Sequence, residues 1–530
     1  MKQLFTWILC LASGALSAQE VTVSSTAEYT NNLPGAYWTK TLGQDASGYY
    51  LIREGGPISQ RTILLEKYSP DMKLLFSSNI ESASGVMGNS LLHRFTEMNK
   101  GRVTVFMEGW SKADGKNSFY VKEMAEDGSW PDKGILLETE PSPGQLKSAD
   151  YSVSFSPDGS KLLVLTEKPF VKGEREKLRL QVFSTDTYSS LWKQDLTLEN
   201  ESARGPDNTI VVDNEGTAYL FKDVKITNKE HIYQLITTGK DFSKTAAINL
   251  GTYYPTQQKL LIDNSGKLVI AGMLAVQGKS STNWQGIWNL SADREGNILQ
   301  NTTEPLGSDM LRLMVSEKAA QQEGYSLDNF VLKDVLLKPA GGILLLAEKQ
   351  VTNRSTVPQS VPPVYQYELQ YGDIAAISFD ADGKRLWNTV IEKRQAEFTM
   401  EPTMRYGSFA YQLKGNDLYL VWNYTDLRND APIRNFRYWI DRNGSKINID
   451  NIFGREALYP TLLTVIRADG SFLYSDRTFS ALPLEAIQKP NAFPMAVDPN
   501  FFFNTADGMI IMSRMPGIEA KRYKFNVIKY

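Results

Sequence analysis

Chemistry that depends on a proton shuttle, a thiolate or a metal has few residues to work with in this chain. Histidine occurs twice, at His93 and His231. The two lie in separate strand-like stretches, so a histidine metal cluster or a Ser-His-Asp relay would need distant segments to meet. The one cysteine, Cys10, falls inside an N-terminal leader-like stretch. The remainder therefore has no disulfide, thiolate ligand or cysteine nucleophile. Neither a Gly-x-Ser-x-Gly elbow nor a Gly-x-x-x-x-Gly-Lys-Ser/Thr phosphate loop occurs. Asp380-Ala381-Asp382-Gly383 is too short for a calcium loop and reads as a turn. The expectation is no metal site, no cofactor and no assignable catalytic residue.

Carboxylates are plentiful, at 60 Asp and Glu. Glycoside cleavage needs two acids roughly 5–10 Å apart, and any two strands around a channel could supply them. A carbohydrate-active hydrolase or lyase is thus the enzymatic alternative. Aromatic residues point to binding instead. Pro358, Pro362 and Pro363 stiffen residues 351–372 ahead of Tyr365, Tyr367 and Tyr371, a segment suited to clamping a partner. Trp284 stands close to Trp288, of which the second reads as core, and Tyr424 opens an irregular stretch at 424–434. Tyr365, Tyr367, Tyr371, Trp284 and Tyr424 are the expected contact residues.

These residues need a scaffold, and composition bounds it. The chain has 530 residues, 57 Lys and Arg, a formal net charge of −3 and 42% hydrophobic residues, values of a globular protein. Without a basic excess, nucleic acid is not an expected partner. Lys2, the apolar run 4–12 and the small residues Ser13 to Ala18 have the order of a signal peptide, with cleavage expected between Ala18 and Gln19. The run is too short to span a bilayer, so export to the periplasm or outer cell surface is expected, with the folded domain covering residues 19–530.

Short runs rich in Val, Ile, Leu, Tyr and Phe recur along that domain, separated by Asp-x-x-Gly and Asp-Gly turns. Residues 331–338, 343–350, 373–380 and 385–392, with turns at Gly341-Gly342 and Gly383, form a template of four antiparallel strands. Equivalent first turns fall at Gly48, Gly101, Gly159, Gly216, Gly266, Gly342, Gly415 and Gly470, spaced 53, 58, 57, 50, 76, 73 and 55 residues apart. Second turns are expected near Asp71, Gly128, Asp186, Asp241, Gly296, Gly383, Gly444 and Gly517. Repetition on this period predicts an all-β fold, a single β-propeller of eight four-stranded blades, with seven as the alternative count. Two β-sandwiches would also give frequent turns but not the regular period. Insertions are expected at 304–328, 351–372 and 478–507, the first bearing a helix over 308–322 with Leu311, Met314, Val315 and Ala319 on one face.

One blade carries a family likeness. The stretch from Tyr151 to Val164, with Ser156-Pro157-Asp158-Gly159 at its turn, resembles the repeat of TolB-like, WD40-related propellers. The stretch from Ile377 to Trp387 is similar to a quinoprotein-type strand pair. Sialidase-type Asp boxes differ, since Asp382 stands where their first Gly should be. As a whole, the chain resembles uncharacterised exported propeller proteins of Bacteroidetes type. The resemblance implies a fold and carries no activity with it.

In a four-stranded antiparallel blade, the second-to-third loops and the links between blades share one end. The longer irregular segments gather there: 109–116, 168–176, 275–283, 351–372 and 424–434. That face, centred on 351–372 and 308–322, is the expected binding surface. The expected function is a non-catalytic binding or scaffold subunit with protein partners in the cell envelope, in an outer-membrane complex for example, and with carbohydrate as a second possible ligand.

Overall fold

The middle strands of the sheets are apolar on both faces. Lys161–Glu167 has five consecutive buried residues at its centre, and every residue of Gly508–Arg514 is buried. A strand covered on both sides needs such a continuous run. Outer strands alternate instead: in Ser190–Glu201 exposed and partly buried residues take turns, because one face meets solvent.

The computed structural model describes residues 21–530 except 31–36, 56–61, 81–90, 143, 145–147, 203–207, 227–229, 278–282, 323, 357–363, 400–403, 405, 428–437, 441–445, 449–460, 475–480, 485–495 and 515–521. Its strands form eight four-stranded antiparallel sheets, the blades of a β-propeller. Residues 37–80, 91–141, 150–201, 208–248, 253–305, 330–391 and 410–483 make blades 1 to 7. Blade 8 takes Ala496–Thr505, Gly508–Arg514 and Arg522–Lys529 from the C-terminal end and its fourth strand, Thr22–Ser25, from the N-terminal end.

The blades are separate hydrogen-bonded sheets joined by side chains. Each neighbouring pair shares an apolar cluster. Between blades 2 and 3, Phe106, Phe119 and Tyr151 stack, with the Phe119 and Tyr151 centroids 4.5 Å apart. Tyr68, Phe503, Tyr523 and Phe525 belong to the cluster shared by blades 1 and 8. The Asp-x-x-Gly turns hold themselves. Asp213, Asp263, Asp293 and Asp380 each accept, through Oδ1, the backbone N–H four residues on, while the Gly three residues on sits at positive φ.

Seven of the eight expected first turns lie where the spacing places them. The last does not. Gly470 closes the second turn of blade 7, after Thr461–Ile466, and the first turn of blade 8 is at Gly508. Residues 478–507, expected as an insertion, contain the first strand of blade 8. The turns expected at Gly444 and Gly517 lie outside the described residues, as does the leader, residues 1–18. The single helix expected over 308–322 is two four-residue helices, Ser308–Leu311 (α1) and Glu317–Ala320 (α2). Ser316 breaks the run by starting α2: its hydroxyl accepts the Ala319 N–H as an N-cap.

Candidate functional site

Elaboration concentrates on one end of blades 5 to 7. The described residues of 351–372 are strand rather than loop. The second and third strands of blade 6, Ile343–Thr356 and Tyr365–Phe379, continue past the sheet as a two-stranded ribbon. Gln395–Thr399 pairs with the edge of Tyr365–Phe379 that faces away from Ile343–Thr356, and Thr425–Leu427 joins that strand in parallel. The proline-rich tip, with Pro358, Pro362 and Pro363, lies outside the described residues. Alternating polar and aromatic residues in Tyr365-Gln366-Tyr367-Glu368-Leu369 are a strand pattern, which the flanking prolines obscure in the sequence.

The ribbon separates the three tyrosines by depth. Tyr365 is exposed, with the Arg354 guanidinium 4.4 Å from its ring centroid. Tyr367 is half-buried against Leu369, Tyr371 and Met404, and Tyr371 is buried within that small cluster. Tyr371 is therefore a foundation of the ribbon rather than a contact residue. Two other expected contacts are also withdrawn by burial. Trp284 is fully buried against Phe330, with a centroid separation of 5.3 Å, and its Nε1 donates to the Gly286 carbonyl. Backbone bonds in both directions between Trp284 and Leu327 fasten residues 306–329 to blade 5. Tyr424 is buried between blades 6 and 7. Trp288 is core, as its strand position indicates.

A buried polar hub lies at the base of the ribbon. Glu348 pairs with Lys393 at 2.6 Å, both fully buried, and Lys333 stands 3.7 Å from the same carboxylate. Ser408 Oγ and Gln350 Nε2 donate to Glu348 Oε2 at 2.7 and 2.6 Å. Gln395 accepts from Lys393 Nζ and from the Ser408 N–H, and donates to the Asn423 carbonyl. Burial opposes ionisation of Glu348, yet Lys393, Lys333 and these bonds hold its carboxyl below the usual range. A charge ending the apolar run Ile343 to Ala347 is the sequence signal for this hub, and it is weak.

A cavity of about 450 Å³ opens between the end of blade 5 and the α1–α2 segment. Tyr253, Gln285, Arg312, Gln322 and Tyr325 are among its lining residues. Gln285 frames it, accepting from the Val276 N–H at 2.9 Å and donating to the Gly324 carbonyl at 3.4 Å. Sequence reasoning placed a helix here but marked none of these side chains.

Acid–base wiring is dispersed. His93 bonds Thr96 in blade 2, and His231 bonds Asp223 in blade 4. Burial raises the carboxyls of Glu167 and Asp213, but they stand at opposite ends of their blades: Glu167 ends the second strand of blade 3, and Asp213 begins the first turn of blade 4. Glu138 and Glu140 share Arg179. Among the described residues no group of three or more His, Asp or Glu is arranged to hold a metal ion, and no helix is long and apolar enough to cross a membrane.

No protein-family model and no curated protein matches the chain. Solved structures show likeness at low identity. The WD40 domain of SCAP from fission yeast is 6% identical, with 96% of this chain and 98% of that chain covered and a TM-score of 0.38. The β-propeller domain of the Trilobed protease from Pyrococcus furiosus is 7% identical over 64% of this chain and 94% of that one, at a TM-score of 0.30. Prolyl oligopeptidase B from Galerina marginata is 9% identical over 91% of this chain, at a TM-score of 0.37. The chain spans 55% of that enzyme's length. The propeller assignment rests on the strand pairing itself.

Proposed function

We propose that this protein is an exported, non-catalytic binding or scaffold propeller of the cell envelope, taking a protein partner on the face that carries the blade 6 ribbon. One observation carries the reading. Beyond Gln350, whose N–H bonds the Asn329 carbonyl, the edge of Ile343–Thr356 on the side of the first strand of blade 6 pairs with no strand among the described residues, while its other edge pairs with Tyr365–Tyr371. An unpaired strand edge is a template for an added strand from a partner. Arg354 stacked on exposed Tyr365, across the two strands of the ribbon, gives that surface a planar, hydrogen-bonding anchor of the kind that dominates interfaces. The basic, apolar and small-residue order of residues 1–18 supports export, and removing them leaves the strand Thr22–Ser25 of blade 8 intact.

The test compares wild type with an Arg354→Ala/Tyr365→Ala double variant. Both positions are exposed, so unfolding should shift by no more than about 0.5 kcal/mol each. A partner recovered from native envelope, then purified, should bind wild type and lose at least about tenfold in affinity to the variant, as removal of a central anchor does. Unchanged affinity places the interface elsewhere. Release of new reducing ends from polysaccharide by the purified protein would replace the scaffold reading with the hydrolase.

A further inference from the structure

The cavity over blade 5 has a lining that selects a ligand class. Blade 5 supplies the floor through Tyr253, Val276 and Gln285, and the α1–α2 segment supplies the roof through Leu311, Arg312, Gln322 and Tyr325. The floor and roof are fixed to each other. The Leu306 N–H donates to the Gln285 carbonyl at 2.9 Å, and Leu327 and Trp284 exchange backbone bonds. Met310, Leu311 and Ala320 bury the underside of the roof in the core between blades 5 and 6. The space is therefore built into the fold, and its volume of about 450 Å³ lies within the range of small-molecule sites, roughly 300–1,000 Å³.

Charge narrows the choice. Arg312 is the one Lys, Arg, Asp or Glu among the lining residues, and Glu317 neutralises it at 3.1 Å. An anionic ligand would find no uncompensated cation. A wholly apolar ligand would leave polar groups of the lining unused, since the solvent-exposed Ser308 hydroxyl and Gln322 amide border the space and bond nothing among the described residues. What remains is an uncharged ligand with apolar faces and many hydroxyls. Half-buried Tyr253 and Tyr325 offer rings to such faces, while Gln321, Gln322 and Ser308 offer amides and a hydroxyl to such edges.

We propose that the cavity between blade 5 and the α1–α2 segment is a binding site for a neutral saccharide, held between Tyr253 and Tyr325 with Gln322 and Ser308 on its hydroxyls. The proposal rests on this end of the propeller being the binding face, but it uses residues apart from the ribbon. The site would let a scaffold propeller grip a glycan while the ribbon holds a protein.

Titration calorimetry of the full chain with maltose, cellobiose, lactose and N,N′-diacetylchitobiose tests it, with inorganic phosphate as the anionic comparison. At least one disaccharide should bind with a dissociation constant of about 1 mM or tighter, unaffected by added sodium chloride. Tyr325→Ala should weaken that binding about tenfold, and Tyr325→Phe should restore most of it by keeping the ring. Gln322→Ala, at an exposed position, should weaken it without altering thermal unfolding, which covers the case in which Tyr325→Ala does not fold. Arg354→Ala/Tyr365→Ala should bind the sugar normally, which separates this site from the ribbon. Absence of binding by all four sugars overturns the proposal. So does phosphate binding in their place, or sugar binding indifferent to both Tyr325→Ala and Gln322→Ala.

Discussion

Lys393 and Glu348 show how a single buried pair can position a whole appendage. Glu348 ends the regular part of a blade 6 strand, and Lys393 and Ser408 belong to the chain returning from that blade to blade 7. Removing one partner leaves the other charged and buried, which costs about 3–5 kcal/mol. Lys393→Met is expected to destabilise by that order, while Lys393→Met combined with Glu348→Leu should recover part of the loss; equal stability of single and double variants in urea unfolding would count against the pairing. The pH dependence has a definite sign. With its folded pKa held below the ordinary carboxyl value of about 4.3, Glu348 contributes stability that is present above that value and lost as the pH falls through the lower folded pKa. Glu348→Gln should therefore flatten the acid limb of the stability curve. The same depth of burial explains which sequence-marked aromatics failed as contacts. Trp284, Tyr371 and Tyr424 have the composition of a binding surface, but ring size also fills inter-blade gaps, and spacing alone cannot separate these uses. Tyr365 differs only in sitting farther out along the ribbon.

Turns were the most legible elements because their chemistry is local. An Asp that accepts its own downstream N–H and a Gly at positive φ need no tertiary partner, so Gly216, Gly266, Gly296 and Gly383 could be read directly from residue type. Strand extensions were less legible, since pairing of Tyr367–Tyr371 with Gln395–Thr399 depends on a segment that follows only after the blade has closed. The two-helix break at Ser316 is illegible for a related reason: apolar spacing continues through it, and only the capping bond marks the start of the second helix. Not all turn glycines are equal, which gives a test. Gly415 and Gly342 have φ of 61° and 78°. A Cβ on Gly415 meets nothing within 4 Å, whereas one on Gly342 would stand 2.3 Å from the Phe379 carbonyl oxygen. Gly415→Ala should cost about 1–2 kcal/mol from backbone conformation alone. Gly342→Ala adds a backbone collision that moves the third strand of blade 6, and should cost clearly more in denaturant unfolding. Similar losses for the two would mean that the close approach is relieved without penalty.

Blade 8 was the least legible part of the molecule, and the reason is topological: its fourth strand comes from the other end of the chain, some 500 residues away in sequence, so no periodic template could include it. Thr22 to Ser25 pair with Lys529 to Asn526, and Tyr29 and Thr30 continue along the same strand opposite Tyr523 and Arg522. Tyr29 also stacks on Tyr523 with centroids 5.3 Å apart, and its hydroxyl donates to the Met72 carbonyl in the second turn of blade 1 at 2.9 Å. Ten residues thus complete one sheet and tie it to the neighbour across the chain termini. Such long-range pairing forms late, because its loop entropy is the largest in the molecule. Deleting residues 21–30 should leave the other seven blades folded but uncover the edge of Arg522–Lys529, whose buried residues are continuous with the core. An open edge of that kind promotes self-association. The expected result is a melting temperature lower by several degrees, for a loss of about 3 kcal/mol, together with concentration-dependent oligomers in sedimentation. A synthetic peptide covering residues 19–30, added in excess, should restore both properties by strand addition. A truncated chain that stays monomeric and melts at the wild-type temperature would show that the terminal strand is not what joins the last blade to the first.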